Sequence, residues 1–116
     1  MSSKYRAVKT TIDGVTFDSK KEAARYVELK LCEKYGYISN LELQPKYILI
    51  NKFTSKSGEK IRELAYVADF RYIDTSTGAT VVEDVKGMKT DVYKIKRKLL
   101  LWRYPDIDFR EVLFVL

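Results

Sequence analysis

The stretch KIRELAYVADFRYIDTSTGATVVEDVKG, residues 60–87, decides how the rest of the chain must be arranged. From Lys60 to Asp74 apolar and polar side chains alternate with the period of a strand, and the run is rich in aromatic and β-branched residues. The turn-forming segment TSTGA follows, and TVVEDVKG then supplies a second strand, so the two runs read as a hairpin. Side chains alternate faces along a strand, which puts Asp84 and Lys86 on one face and Glu83 and Val85 on the other. Pairing Tyr72 with Thr80 sets Ala68 opposite Asp84 and leaves Asp69 one position away; a slip of one residue in the loop would bring Asp69 level with Asp84. In either register two carboxylates become neighbours.

The flanking segments supply what such a hairpin needs to pack against. Upstream, KYILINKF (46–53) reads as a strand and 54–58 as a turn, making a three-stranded antiparallel meander with the two later runs. Before it lies a segment with Leu41, Leu43 and Pro45 that reads as a connection. Ser19 with Glu22 three residues on has the spacing of a capping box and predicts a helix start. Ala23, Val27 and Leu31 predict that helix's apolar face, Lys20, Lys21, Lys30 and Lys34 fall largely elsewhere, and Gly36 ends it. Ahead of the helix, Asp13-Gly14 suits the positive φ angles of a type I′ turn and predicts a small hairpin within 5–19. Downstream, 90–104 predicts a second helix on Tyr93, Leu100 and Tyr104, with Ile95, Leu99 and Trp102 beside them, closed by Pro105. The tail DFREVLFVL reads as a final buried strand, and Phe70, Phe109 and Phe114 read as core. Only the last helix-to-strand step can bring a strand parallel to an earlier neighbour, since such a crossover needs about a dozen residues. The expected fold is α/β (α+β): a mixed central sheet flanked by helices in the order α-β-β-β-α-β, after a short hairpin, in one domain spanning 1–116.

Composition narrows the chemistry. Histidine is absent, so Ser-His-Asp and Cys-His nucleophiles and every histidine-containing zinc site are excluded. The single cysteine, Cys32, allows no intrachain disulfide, which points towards a reducing compartment and a cytoplasmic location. No stretch approaches the ~18 apolar residues of a membrane span, and no membrane partner is expected. Lysine and arginine number 22 against 16 acidic residues, for a net charge of +6, which favours an anionic partner but also suits plain solubility. Catalysis here must run on carboxylates, lysine and bound ions.

Two carboxylates set close together among Val, Ala and Phe are costly to ionise unless a cation joins them. Mg²⁺ typically takes one or two carboxylates and fills its remaining positions with water and phosphate oxygens, and Mn²⁺ suits the same oxygen ligands. Lys86 beside such an ion is placed to orient or help deprotonate an attacking water and to stabilise charge on phosphate oxygens. Hydrolysis of a phosphodiester is the expected reaction.

The pattern Asp69, then Asp84-Val85-Lys86, resembles the PD-(D/E)xK (restriction-endonuclease-like) nuclease superfamily, as does the order of elements around it. More narrowly, FDSKKEAARY, Gln44-Pro45, ADF and EDVKG look like a small phage-associated family catalogued as a domain of unknown function, a resemblance covering nearly the whole chain. Ala68 stands where the superfamily's name has proline, and the second acid is Asp rather than Glu. The resemblance implies metal ligation by Asp69, Asp84 and the carbonyl of Val85, with Lys86 assisting the nucleophile. Its Holliday-junction-resolvase-like members add a glutamate from the first helix, a place Glu22 occupies; the other reading of Glu22 is the third residue of the capping box. Glu28 falls on a different part of the helix and reads as solvated.

The partner these readings imply is DNA, cut by a metal-dependent endodeoxyribonuclease that is structure-specific in the manner of junction resolvases; the alternative is a non-catalytic DNA-binding module of the same fold. Gln44, before Pro45, suits a contact to phosphate or a metal-bound water, or equally a turn cap. Lys89, Lys94, Lys96 and Arg97, in a segment that also holds Lys86, Lys98 and Arg103, form a candidate DNA track, with Lys96 foremost; the plain alternative is a solvated helix face. With no separate DNA-reading module in view, substrate choice would rest on shape and phosphate geometry, across a homodimer that cuts two strands symmetrically.

Overall fold

A computed structural model describes residues 9–113, so Phe114 and the chain before Lys9 lie outside the described residues. The element order is β1 (Thr10–Ile12), β2 (Val15–Phe17), α1 (Lys20–Lys34), β3 (Ile38–Leu43), β4 (Lys46–Ile50), β5 (Phe53–Thr54), β6 (Lys60–Ile61), β7 (Leu64–Val67), β8 (Phe70–Asp74), β9 (Thr80–Lys86), α2 (Asp91–Arg103) and β10 (Asp108–Leu113). This is a mixed α+β fold. β1 and β2 form the expected hairpin, and its turn residues Asp13 and Gly14 have φ of 53° and 77°, as a type I′ turn requires.

The main sheet has the order β10-β9-β8-β3, antiparallel except that β10 runs parallel to β9, as the crossover through α2 predicts. Val81 of β9 packs with Tyr26, Leu29 and Phe70 in a cluster under α1. Its neighbour Val82 packs with Tyr66, Tyr93 and Leu100 in a second cluster under α2. Successive side chains therefore bury on opposite faces, and each face is covered by one helix. The described part of β10 is only partly buried, with Arg110 exposed and Phe109 packed at the edge of the α2 cluster, so the expectation of a buried final strand is corrected. Among the described residues the parallel strand stands at the edge of the sheet, with a neighbouring strand on one side only.

The segment read as one long strand over 60–74 is broken into β6, β7 and β8, and the segment read as a connection holds β3. The break between β7 and β8 is matched by one between β3 and β4. Gln44 adopts a φ of 51° and sharply redirects the chain between β3 and β4, while its partner chain kinks at Ala68-Asp69 between β7 and β8. The two kinks are stitched together: Gln44 N–H donates to the Asp69 carbonyl at 3.0 Å and Ala68 N–H to the Pro45 carbonyl at 3.1 Å. β4 and β7 then continue as a separate antiparallel pair that α2 covers. β3 escapes a pattern reading because Ser39, Asn40 and Glu42 are polar, Asn40 has a φ of 56°, and the pairing with β8 shifts between Ser39 and Glu42.

Both helices begin at the expected positions, each on a capping side chain. Ser19 Oγ accepts from Glu22 N–H and Thr90 Oγ1 from Tyr93 N–H, each at 3.1 Å. The apolar face expected for α1 is corrected, since Val27 and Leu31 are 49% and 54% exposed and the buried residues are Glu22, Ala23, Tyr26 and Leu29. A four-residue repeat drifts by about 40° per step on a helix of 3.6 residues per turn, so Ala23 sits at the rim of the buried face and Val27 and Leu31 lie beyond it. On α2, Tyr93 and Leu100 are buried as expected, but Ile95 and Trp102 face outward.

Candidate metal-ion and catalytic site

The kink in β7-β8 is what positions Asp69. In the observed register Tyr72 pairs with Val81 and Phe70 with Glu83, one residue on from the simplest reading of the hairpin, so Asp69 arrives level with Asp84. The two acids brace each other through the backbone. Asp69 N–H donates to Asp84 Oδ1 at 3.0 Å, and Val85 N–H donates to Asp69 Oδ2 at 2.7 Å. Each carboxylate is thus fixed by a peptide N–H from the other's strand, and neither can rotate away without losing a charge-assisted bond.

Asp84 is 1% exposed, and its Oδ2 is buried with no hydrogen-bond partner. The nearest cation is Lys86, whose Nζ lies 3.6 Å from that oxygen and 4.2 Å from the centroid of the Tyr93 ring. Burial pushes the Asp84 carboxyl up to about 6, against the pull of Lys86. Burial likewise raises Asp69, opposed by the Val85 N–H. Glu22, on the first turn of α1, is pushed up to about 7 by burial and then by the charge of Asp69, with which its carboxyl shares a hydrogen bond. The backbone N–H of Glu22 completes the helix cap, and its carboxyl lies beside Asp69.

Among the described residues no three Asp, Glu or Cys side chains gather closely enough to hold a metal ion by themselves. What the site offers is a pair of buried acids with Glu22 beside them and one carboxylate oxygen left without a donor. That set fits a hard divalent cation of the Mg²⁺ kind, which needs one or two carboxylates and completes its shell with water and phosphate. A cation there would supply the positive charge that the burial of Asp69 and Asp84 leaves unbalanced.

Several contributors escape a motif reading. Glu83, on the face opposite Asp84, is fully buried and takes a two-pronged ion pair from Arg25 of α1, Nε to Oε1 at 2.8 Å and Nη2 to Oε2 at 2.7 Å, with Tyr72 Oη donating as well. Arg25 lies three residues after Glu22, so the clamp that fixes α1 on β9 also fixes the height of Glu22 above Asp69. The signal in the sequence was an acid flanked by valines on a face that a helix must cover. Glu111 of β10 pairs in register with Asp84, accepts from Tyr93 Oη, and lies 3.1 Å from Lys89 Nζ. Glu28 is exposed, as expected.

The expected nucleic-acid contacts are divided rather than collected. Gln44 is exposed beside Asp69, held there by its own N–H. Lys89, Lys94, Arg97 and Lys98 line a groove of about 490 Å³ together with Tyr93, Leu101 and Glu111. Lys96 is outside that lining, about 100° around the helix from Arg97. Arg103 is engaged structurally, donating to the Leu49 carbonyl at 2.9 Å.

Compared with known proteins, residues 2–114 match a family described as a protein of unknown function (DUF1064). The chain belongs to the DUF1064 family. No curated protein and no solved structure matches it. Among the described residues of this member no helix is long and apolar enough to cross a membrane.

Proposed function

We propose that this protein is a metal-dependent endodeoxyribonuclease of the PD-(D/E)xK type that hydrolyses DNA phosphodiester bonds, with a structure-specific, junction-resolvase-like preference. The reading rests foremost on one observation: Asp69 and Asp84 are held together by reciprocal backbone hydrogen bonds while the buried Asp84 Oδ2 accepts no hydrogen bond, its ion-pair partner Lys86 standing 3.6 Å away. A merely structural ion pair would be expected to satisfy its buried oxygens.

Asp69, Asp84 and the carbonyl of Val85 would hold Mg²⁺ or Mn²⁺, with Glu22 adjoining. When bound, the ion supplies Lewis acidity at a phosphate oxygen and lowers the pKa of water. The chain's own residues do the rest. Lys86, steadied against the Tyr93 ring, presents its ammonium to the attacking water and to charge developing on the phosphorus oxygens. Glu22, raised to about 7, exchanges a proton with solvent near neutrality and can take one from the site. The basic residues beyond Lys86 attract the phosphate backbone without reading sequence. A role in phage or mobile-element DNA metabolism, in the host cytoplasm and as a homodimer, accompanies this reading.

The rival is a DNA-binding module that does not cut. Linear duplex, single-stranded, flapped and four-way-junction DNA incubated with Mg²⁺, Mn²⁺ or EDTA separates the two. Metal-dependent cutting that Asp84→Asn abolishes, while DNA binding persists, supports the nuclease. Salt-sensitive binding with no cutting by the wild type under any metal moves the assignment to the binding module.

A further inference from the structure

Building on the DNA-directed reading above, we propose that the groove between α2 and β10 is a phosphate-anchoring subsite, in which Arg97, Lys94 and Lys98 hold backbone phosphates of the DNA strand next to the cleaved bond. One flank of α2 carries the nucleic acid and the other, with Lys96, does not.

The groove is continuous with the catalytic centre. Lys86 lies on one side of the Tyr93 ring, and Tyr93 itself lines the groove. Glu111 at the groove wall pairs in register with Asp84. Four cations line the groove against one carboxylate. That carboxylate is already satisfied, since Glu111 takes the Tyr93 hydroxyl and the Lys89 ammonium. Lys94, Arg97 and Lys98 have no ion-pair partner within 4 Å among the described residues.

Arg97 is built as an anchor rather than a solvated side chain. Its guanidinium carbon lies 5.6 Å from the centroid of the Phe109 ring, and its Nε is buried without a hydrogen-bond partner. A planar fork held against an aromatic face has given up much of its rotational freedom before any ligand arrives, so little further order is needed to bind a phosphate bidentately. Lys94 and Lys98 are exposed and four residues apart, which places them one turn apart along the same edge. Lys96 points about 100° away on the other side of Arg97, towards the flank where Arg103 is bonded to the Leu49 carbonyl.

The test is the affinity of a fluorescently labelled DNA duplex and four-way junction for the full chain, measured by anisotropy in EDTA across a range of salt concentrations. Removing one cation that neutralises a phosphate should reduce the log-log salt slope by about 0.9, which near 0.1 M salt is about an eightfold drop in affinity. Lys98→Gln, Lys94→Gln and Arg97→Gln should each show that drop, and Lys96→Gln should leave slope and affinity unchanged. Arg97→Lys serves as a second variant in case Arg97→Gln folds poorly, and it should bind more weakly while keeping the charge. An equal drop for Lys96→Gln and Lys98→Gln, or wild-type affinity in all three groove variants, overturns the subsite and leaves DNA binding intact. Failure of the wild-type protein to bind DNA overturns the DNA-directed reading itself.

Discussion

Replacing Asp84 with Asn should stabilise the metal-free protein above neutral pH and do nothing at low pH. The substitution keeps an acceptor for Asp69 N–H and removes the charge whose buried Oδ2 accepts no hydrogen bond. Folding raises the Asp84 carboxyl from 3.8 to about 6. A raised carboxyl means that the folded state binds the proton more tightly than the unfolded one, so stability is full below the unfolded value and falls as pH rises through the folded value. At 1.36 kcal/mol per unit, the ionised side chain costs about 3 kcal/mol once pH is well above both values. For a chain of this size that corresponds to about 10 °C in Tm. Thermal unfolding by circular dichroism from pH 3 to pH 8, in EDTA, should show the two proteins melting together below pH 4, diverging between pH 4 and 6, and fully separated above pH 7. Mg²⁺ at about a hundred times its Kd should then raise the wild type by about 2.7 kcal/mol and leave Asp84→Asn nearly unmoved. A variant that melts at or below the wild type at pH 8, or a gap that does not change with pH, would refute the reasoning that Asp84 is held ionised at a cost.

Other outcomes follow from the same geometry. Glu22→Gln should also stabilise the metal-free protein, with the gain absent at pH 4 and complete above pH 7, because Glu22 is raised from 4.5 to about 7; urea titrations at the two pH values check it. Arg25→Met strands the buried Glu83 carboxylate and should cost about 3–5 kcal/mol, and adding Glu83→Gln should recover more than half of that, as read from urea midpoints. Lys86→Met removes the ammonium that lies over Tyr93 and beside Asp84, and should lower DNA cleavage by about 100-fold or more in single-turnover assays while melting like the wild type only below pH 4, where Asp84 is protonated.

Much of this fold was legible because the deciding residues obey local rules. Asp13-Gly14 demands one turn type, the Ser19-to-Glu22 spacing marks the start of α1, and the crossover through α2 allows the last strand to run parallel to an earlier one. The neighbouring placement of Asp69 and Asp84 followed from the alternation of a hairpin, and the exact register did not, because loop length leaves a slip of one residue open. The kinks at Gln44 and Ala68-Asp69 were hidden. They depend on bonds between segments more than 20 positions apart, and a positive φ at Gln44 has no sequence marker. The Arg25–Glu83 clamp was hidden for a related reason: charged residues on a helix read as solvated until the facing strand is seen to bury its own acid. How the basic segment divides was not legible from its contiguity, since a helix distributes consecutive lysines around its axis and sets Lys94, Arg97 and Lys98 along one groove.

The most direct test is the rate at which purified protein cuts labelled junction and duplex DNA as Mg²⁺ or Mn²⁺ is titrated from zero, with Asp69→Asn alongside the wild type. The account predicts cleavage that requires the divalent ion, stops in EDTA and is absent in Asp69→Asn although that protein still folds and binds DNA. Cleavage that persists in Asp69→Asn, or a wild type that binds DNA yet cuts no substrate with any divalent ion, would contradict it.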